Sequence, residues 1–163
     1  MTTITTFTKK PFDPLAPEAE LIDIRDIAHA LSMMCRANGH FPTFYSVAQH
    51  SLNCMREAKE RGLSERIQLA CLLHDASEAY ISDLTRPVKS AMPEYRAVEN
   101  RLEAAIYEKF MGGITDEDAA ARKTNVLRRL YLWMTGLLFA FRFLPGIMNM
   151  IAEIGSVGAP HDI

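Results

Sequence analysis

The stretch Ser64-Glu65-Arg66-Ile67-Gln68-Leu69-Ala70-Cys71-Leu72-Leu73-His74-Asp75-Ala76-Ser77-Glu78 decides how this 163-residue chain is read. Ser64 is a good N-cap, its hydroxyl able to accept from the first free amides of a helix. Ile67, Leu69, Ala70, Leu72, Leu73 and Ala76 then place apolar groups on most sides of that helix. Such a helix is covered nearly all round, so it belongs at the centre of a helical domain. It ends on His74-Asp75, an ionisable pair that is costly to bury unless something compensates it. A metal ion is a common compensator.

Toward the N-terminus, Ser46 stands three residues before Gln49, the spacing of a capping box. Val47, Cys54, Met55 and Ala58 share one face of the helix it starts, and Gly62 ends that helix. Before it, Ile24, Ile27, Ala28, Leu31, Met34 and Cys35 form a helical stripe from Leu21 onward, stopped by Gly39. His40 to Tyr45 reads as a loop. Residues 1–20, with Pro11, Pro14 and Pro17, read as an extended arm. Toward the C-terminus, residues 80–93 carry Pro87 and Pro93 and read as a loop. A fourth helix runs from about Glu94 to Gly112-Gly113, with Tyr95, Val98, Leu102, Ala105, Ile106 and Phe110 on one face. Thr115 with Asp118 caps a fifth. No strand-like alternation or internal repeat interrupts this pattern. The expected fold is all-α, a bundle of about five to seven short helices.

Composition narrows the function. With 48% apolar and 23% charged residues the chain has globular composition. A net charge of −2 argues against a general nucleic-acid binder or an anionic-membrane binder. Cys35, Cys54 and Cys71 are odd in number and lack CxxC spacing. They point to reduced thiols in a cytoplasmic protein rather than to a disulfide scaffold or zinc ribbon. Met1 to Lys10 has no apolar core and does not read as a signal peptide.

The charge is unevenly spread. Residues 1–124 hold 15 Lys or Arg and 18 Asp or Glu, whereas 125–163 hold only Arg128, Arg129, Arg142, Glu153 and Asp162. Leu130 to Phe141 is uncharged, but too short and too soon broken by Arg142, Pro145 and Gly146 for a membrane span. It reads as a core helix from Val126 to Phe143. A partner-binding, membrane-surface or homodimer segment and a change of reading frame are the alternatives.

Chemistry concentrates around the central helix. Glu78 lies four residues past His74 and three past Asp75, so a continuing helix projects all three toward one side. Asp83 follows on the loop. His50 sits on the preceding helix, which a short turn folds back against the central one. Two imidazoles and a carboxylate from adjacent helices suit a divalent ion. The spacing by itself equally allows a hydrogen-bonded pair at a helix end.

The segments Ser46-Val47-Ala48-Gln49-His50-Ser51-Leu52 and Leu72-Leu73-His74-Asp75-Ala76-Ser77-Glu78-Ala79-Tyr80-Ile81-Ser82-Asp83-Leu84-Thr85-Arg86-Pro87-Val88-Lys89 go further. Together they resemble the HD-domain metal-dependent phosphohydrolases, in the branch that includes bacterial 5′-deoxynucleotidases and related phage and bacterial hydrolases. The resemblance covers roughly Leu21 to Lys123. It implies one divalent metal (Mn, Co, Mg, Zn or Fe) held by His50, His74 and Asp75. Glu78 and Asp83 would be acid/base or orienting groups beside the metal. Arg36 matches a basic phosphate-binding position. The implied substrate is a phosphate monoester, a (deoxy)nucleoside 5′-monophosphate. A guanosine polyphosphate or cyclic dinucleotide is a further option, and a non-catalytic HD domain that binds nucleotide or a protein partner is the alternative.

The resemblance breaks at one place. Such hydrolases complete the metal site with an aspartate on a later helix, in a K-x-A-D-like context. Here Arg122-Lys123 is followed by Thr124-Asn125-Val126, and Asn125 is a neutral amide. Asp116 and Asp118 come too early and read as helix-start residues. Outside the matched positions, His29 reads as a helix histidine, His40 as a loop residue, and Cys54 and Cys71 as small core residues. Lys89 reads as a solvated loop lysine, with phosphate contact as its alternative.

Overall fold

Central to the molecule is helix α3, Glu65–Leu73, which packs against both α2, Val47–Glu60, and α6, Pro93–Met111. A computed structural model describes residues 3–116 and 118, which lie within the first of two units, Met1–Leu127. The readings made for Asn125 and for the apolar segment 125–163 fall outside the described residues. The architecture is all-α, as expected, with α1 at Ile24–Met33, α4 at Glu78–Ile81 and α5 at Arg86–Ser90 completing the helices described.

The caps follow the sequence signals. The Ser46 side chain accepts from the Gln49 amide at 3.1 Å, and the Gln49 side chain accepts from the Ser46 amide at 2.8 Å. This reciprocal box satisfies two otherwise orphaned donors at the start of α2. Ser64 caps α3 by accepting from the Ile67 amide. Gly112 ends α6 in the left-handed conformation, φ +67°, which glycine adopts without steric cost. Pro93 sits in its first turn, where a missing N–H costs nothing.

Three boundaries differ from the sequence reading. Helix α1 starts at Ile24 behind an Asp23 cap and stops at Met33. Its apolar stripe runs on through Met34 and Cys35, but these residues are extended because they pair with the start of α2. Val47 N–H donates to Met34 O at 3.0 Å and Arg36 N–H to Tyr45 O at 2.8 Å. Residues 80–93 are only partly loop, since α4 and α5 each form a short turn of helix there. The N-terminal arm is not simply extended. Ile4–Thr5 (β1) and Pro11–Phe12 (β2) pair antiparallel as a small hairpin.

That hairpin belongs to the core. Phe12 is fully buried and stacks on Tyr80 with ring centroids 4.3 Å apart. Asp26 of α1 accepts from the Thr8 amide at 2.6 Å and from its hydroxyl at 2.9 Å. The core continues through Ile22, Ile27, Leu31, Val47, Leu73, Ala76, Leu102 and Ile106. Burying one such large apolar side chain is worth ~1.5–3 kcal/mol.

At its C-terminal end α6 is clasped by Arg66 of α3. The guanidinium donates to Met111 O at 2.9 Å, to Gly113 O at 2.8 Å and to Asp118 Oδ2 at 2.7 Å. Asp118 is fully buried and also accepts from Thr115, as its reading as a helix-start residue expects. Among the described residues, no helix is long and apolar enough to cross a membrane.

Candidate functional site

His50 lies in the first turn of α2 and His74 caps the C-terminal end of α3, so the hairpin of these two helices brings the imidazoles together. Their Nε2 atoms are 3.2 Å apart. The continuing helix expected for His74, Asp75 and Glu78 is replaced by tight turns. Ala76 N–H donates to Leu73 O and Glu78 N–H to Asp75 O, each across three residues. These turns wrap the three side chains around one point. Asp75 Oδ2 lies 3.0 Å from His74 Nε2 and 3.5 Å from His50 Nε2.

The proton positions on these groups are constrained. His74 Nδ1 is 2.7 Å from Cys71 O, and a carbonyl can only accept, so Nδ1 carries the hydrogen. In the neutral ring Nε2 is then a lone-pair atom aimed at the site. Burial, reinforced by His74, pushes His50 down to about 3, so its ring is uncharged at neutral pH. Burial works against the Asp75 carboxylate, but His74 and Arg36 outweigh it and hold its pKa well below the usual range. Asp75 Oδ2 is buried, and among the described residues no donor makes a well-aligned hydrogen bond to it. The two Nε2 atoms and Asp75 Oδ2 thus face one another, a donor set that suits a shared cation.

The spacing suits such a cation. Donor atoms bonded at ~2.1 Å to a common ion stand ~3.0–3.4 Å apart. Cys54, one turn after His50 on α2, brings its Sγ to 3.7 Å from His50 Nε2. His50, Cys54 and His74 form a group able to hold a metal ion.

Arg36 stands on the other side of Asp75. The pairing of residues 34–36 with 45–47 fixes its backbone, and Ala37, Asn38 and Gly39 turn away in the left-handed region. Its Nη1 lies 3.1 Å from Asp75 Oδ2, 3.3 Å from Glu78 Oε2 and 2.9 Å from Asp83 Oδ2. Burial disfavours the charged guanidinium, but Asp75, Asp83 and Glu78 outweigh this and raise its pKa. Glu78 is only 2% exposed. Burial, with Asp75 and Asp83 nearby, pushes its carboxyl up to about 9. It therefore holds a proton at neutral pH.

The site residues expected from the sequence, Arg36, His50, His74, Asp75, Glu78 and Asp83, all meet in this cluster. Lys89 and Glu99 join them. Lys89 is not a solvated loop lysine: on α5 it reaches Glu78 Oε1 at 3.4 Å and Glu99 Oε1 of α6 at 2.6 Å. The short α5 turns its side chain inward. The Pro-Val-Lys run was the available signal for Lys89, whereas Glu99 had none. His29 and His40 stay outside, His29 stacking on Phe7 at 3.9 Å.

Asp83 is aimed by a strained residue. Ser82 has φ +76° and ψ 159°, a region that L-residues adopt at a cost of ~1–3 kcal/mol. The Tyr95 hydroxyl donates to Ser82 O at 2.6 Å and holds this conformation.

Two curated proteins are similar to the chain. The uncharacterized protein YfdR of Escherichia coli K12 is 39% identical over 110 residues, 68% of this chain and 59% of that protein. An uncharacterized protein of Rhodobacter capsulatus is 42% identical over 104 residues, 60% of this chain and 53% of that protein. The chain thus spans little more than half the length of these relatives. No family model matches it.

Proposed function

We propose that the chain is a metal-dependent phosphohydrolase of HD type that cleaves a phosphate monoester, a (deoxy)nucleoside 5′-monophosphate. The observation that carries this reading is the meeting of His50 Nε2, His74 Nε2 and Asp75 Oδ2 within 3.0–3.5 Å, with Arg36 and Glu78 alongside. The donors fit one divalent ion of the Mn, Co, Mg, Zn or Fe class, and the unsatisfied Asp75 Oδ2 supports its presence. Bound there, such an ion supplies Lewis-acid polarisation of a phosphoryl oxygen and acidifies water.

The protein groups divide the remaining work. Arg36 turns its planar fork to the phosphate oxygens, a geometry suited to bidentate contact. Asp83 anchors Arg36 from the far side. Glu78, beside the metal donors, takes the proton of the attacking water or gives one to the leaving oxygen. Lys89, tethered by Glu99, keeps the Glu78 carboxyl facing the site. The three free thiols are in keeping with a reducing cytoplasm, the location we assign to it.

The test is metal analysis of the purified protein, followed by phosphate release from deoxynucleoside monophosphates with Mn2+, Co2+ or Mg2+. Metal at one equivalent and turnover support the reading, and turnover that survives His74→Ala sinks it. One observation favours a second reading, a nucleotide-binding domain without catalysis. After residue 118 the sequence offers only Glu153 and Asp162 as carboxylates. Bound metal and bound nucleotide without phosphate release would establish that reading instead.

A further inference from the structure

We propose that Cys54 is a sulfur donor to this same metal centre and that it biases the site toward thiophilic divalent ions such as Zn2+ and Co2+ over Mg2+. The inference rests on the metal-centre reading above and deepens it.

Helix register starts the argument. Cys54 lies four residues after His50, so both side chains leave α2 on one face, one above the other. The thiol is fully buried. A buried cysteine usually packs as a small hydrophobe. This one faces imidazoles instead, with Sγ 3.7 Å from His50 Nε2 and 3.9 Å from His50 Nδ1. The donor atoms of His50, Cys54 and His74 all lie within 4.8 Å of one another. Sulfur at ~2.3 Å and nitrogen at ~2.0–2.1 Å from one tetrahedral ion stand ~3.6 Å apart. The observed Sγ to Nε2 distance is close to that figure, but Sγ lies nearly as near to Nδ1, beside the ring, so binding requires the Cys54 side chain to turn toward the Nε2 side.

The donor count points the same way. His50, His74 and Asp75 offer three donor atoms, and the thiol buried beside the imidazoles offers a fourth for a tetrahedral ion. On binding, the S–H bond breaks, sulfur keeps the electron pair and bonds the ion, and the proton leaves to solvent. Thiolate is a soft donor, and among divalent ions it favours Zn2+ and Co2+ over Mg2+.

Cobalt spectroscopy on the full chain tests this directly. Metal-free protein is titrated with Co2+ while near-ultraviolet and visible absorbance are recorded. A thiolate-to-cobalt charge-transfer band should saturate at one equivalent together with the visible d–d bands. In Cys54→Ser the charge-transfer band should vanish and the d–d bands remain, and Zn2+ affinity should fall about tenfold while Mg2+ affinity changes less. Cys54→Ala gives the same comparison if serine unsettles the core. The d–d bands without a charge-transfer band in the wild-type protein would overturn the sulfur ligand and leave the metal centre standing. A charge-transfer band that survives both substitutions would also overturn it. No cobalt absorbance at all would remove the metal centre and this inference with it.

Discussion

Two arginines in this molecule each meet buried carboxylate, and they do opposite things with it. Arg66 pairs with one aspartate, Asp118, and spends its remaining donors on the carbonyls of Met111 and Gly113. Its charge is matched one to one, and the cluster joins α3 to the end of α6. Arg36 faces Asp75, Glu78 and Asp83 together, with Lys89 reaching only Glu78 among them. Negative charge is in excess there, and the consequence is visible. Burial and the neighbouring carboxylates leave Glu78 with its proton. A charge-matched cluster ties two helices together, whereas an under-neutralised one suits a cation.

The sharpest way to break this comparison is Asp75→Ala or His74→Ala. Each should abolish stoichiometric metal binding, read by elemental analysis, and lower phosphate release by at least about a hundredfold, with the helical circular dichroism retained. Arg66→Ala should do the reverse. Leaving Asp118 buried without its partner should cost ~3 kcal/mol in urea unfolding, while the folded fraction still binds metal at one equivalent.

A third experiment uses pH. Folding raises the Glu78 carboxyl from 4.5 to about 9, so the folded state holds this proton more tightly than the unfolded chain does. The resulting stability is fully present below pH 4.5 and is lost as pH rises toward 9. Thermal melts in chelator across that window should decline for the wild type and decline less for Glu78→Gln, which should also lose turnover. A wild-type slope equal to that of Glu78→Gln would remove the excess-charge account. The smallest effect belongs to neither cluster. Ser46→Ala removes the hydroxyl of the α2 capping box and should cost ~1 kcal/mol in the same urea unfolding assay.

The cluster around Arg36 and the helix caps were legible in the sequence, whereas the Arg66 clasp was not, since its partners lie 45 to 52 residues away. Ser46 with Gln49 and Ser64 with Ile67 lie within one turn, so their caps could be read from spacing. His50, His74, Asp75, Glu78, Asp83 and Arg36 carry a recognisable pattern. What escaped depends on distant partners. Met34 and Cys35 continue an apolar stripe, yet pairing with Tyr45 and Val47 unwinds them. Two-residue strands are too short to show a period, so the Phe12 hairpin was invisible until its burial was seen. Lys89 looked solvated because its partner Glu99 lies on another helix. Cys54 looked like any small core residue, since only the packing of α2 on α3 shows what its sulfur faces.

Ser82 carries a final consequence. Its conformation is held by Tyr95 from α6, so the segment that presents Asp83 is ordered by the protein's own contacts. A ligand entering this cluster would owe little entropy for organising that wall, and more of its contact energy would appear as affinity. Tyr95→Phe, which touches neither metal donor nor Arg36, would make ligand binding more costly by loosening a wall that no ligand need ever touch.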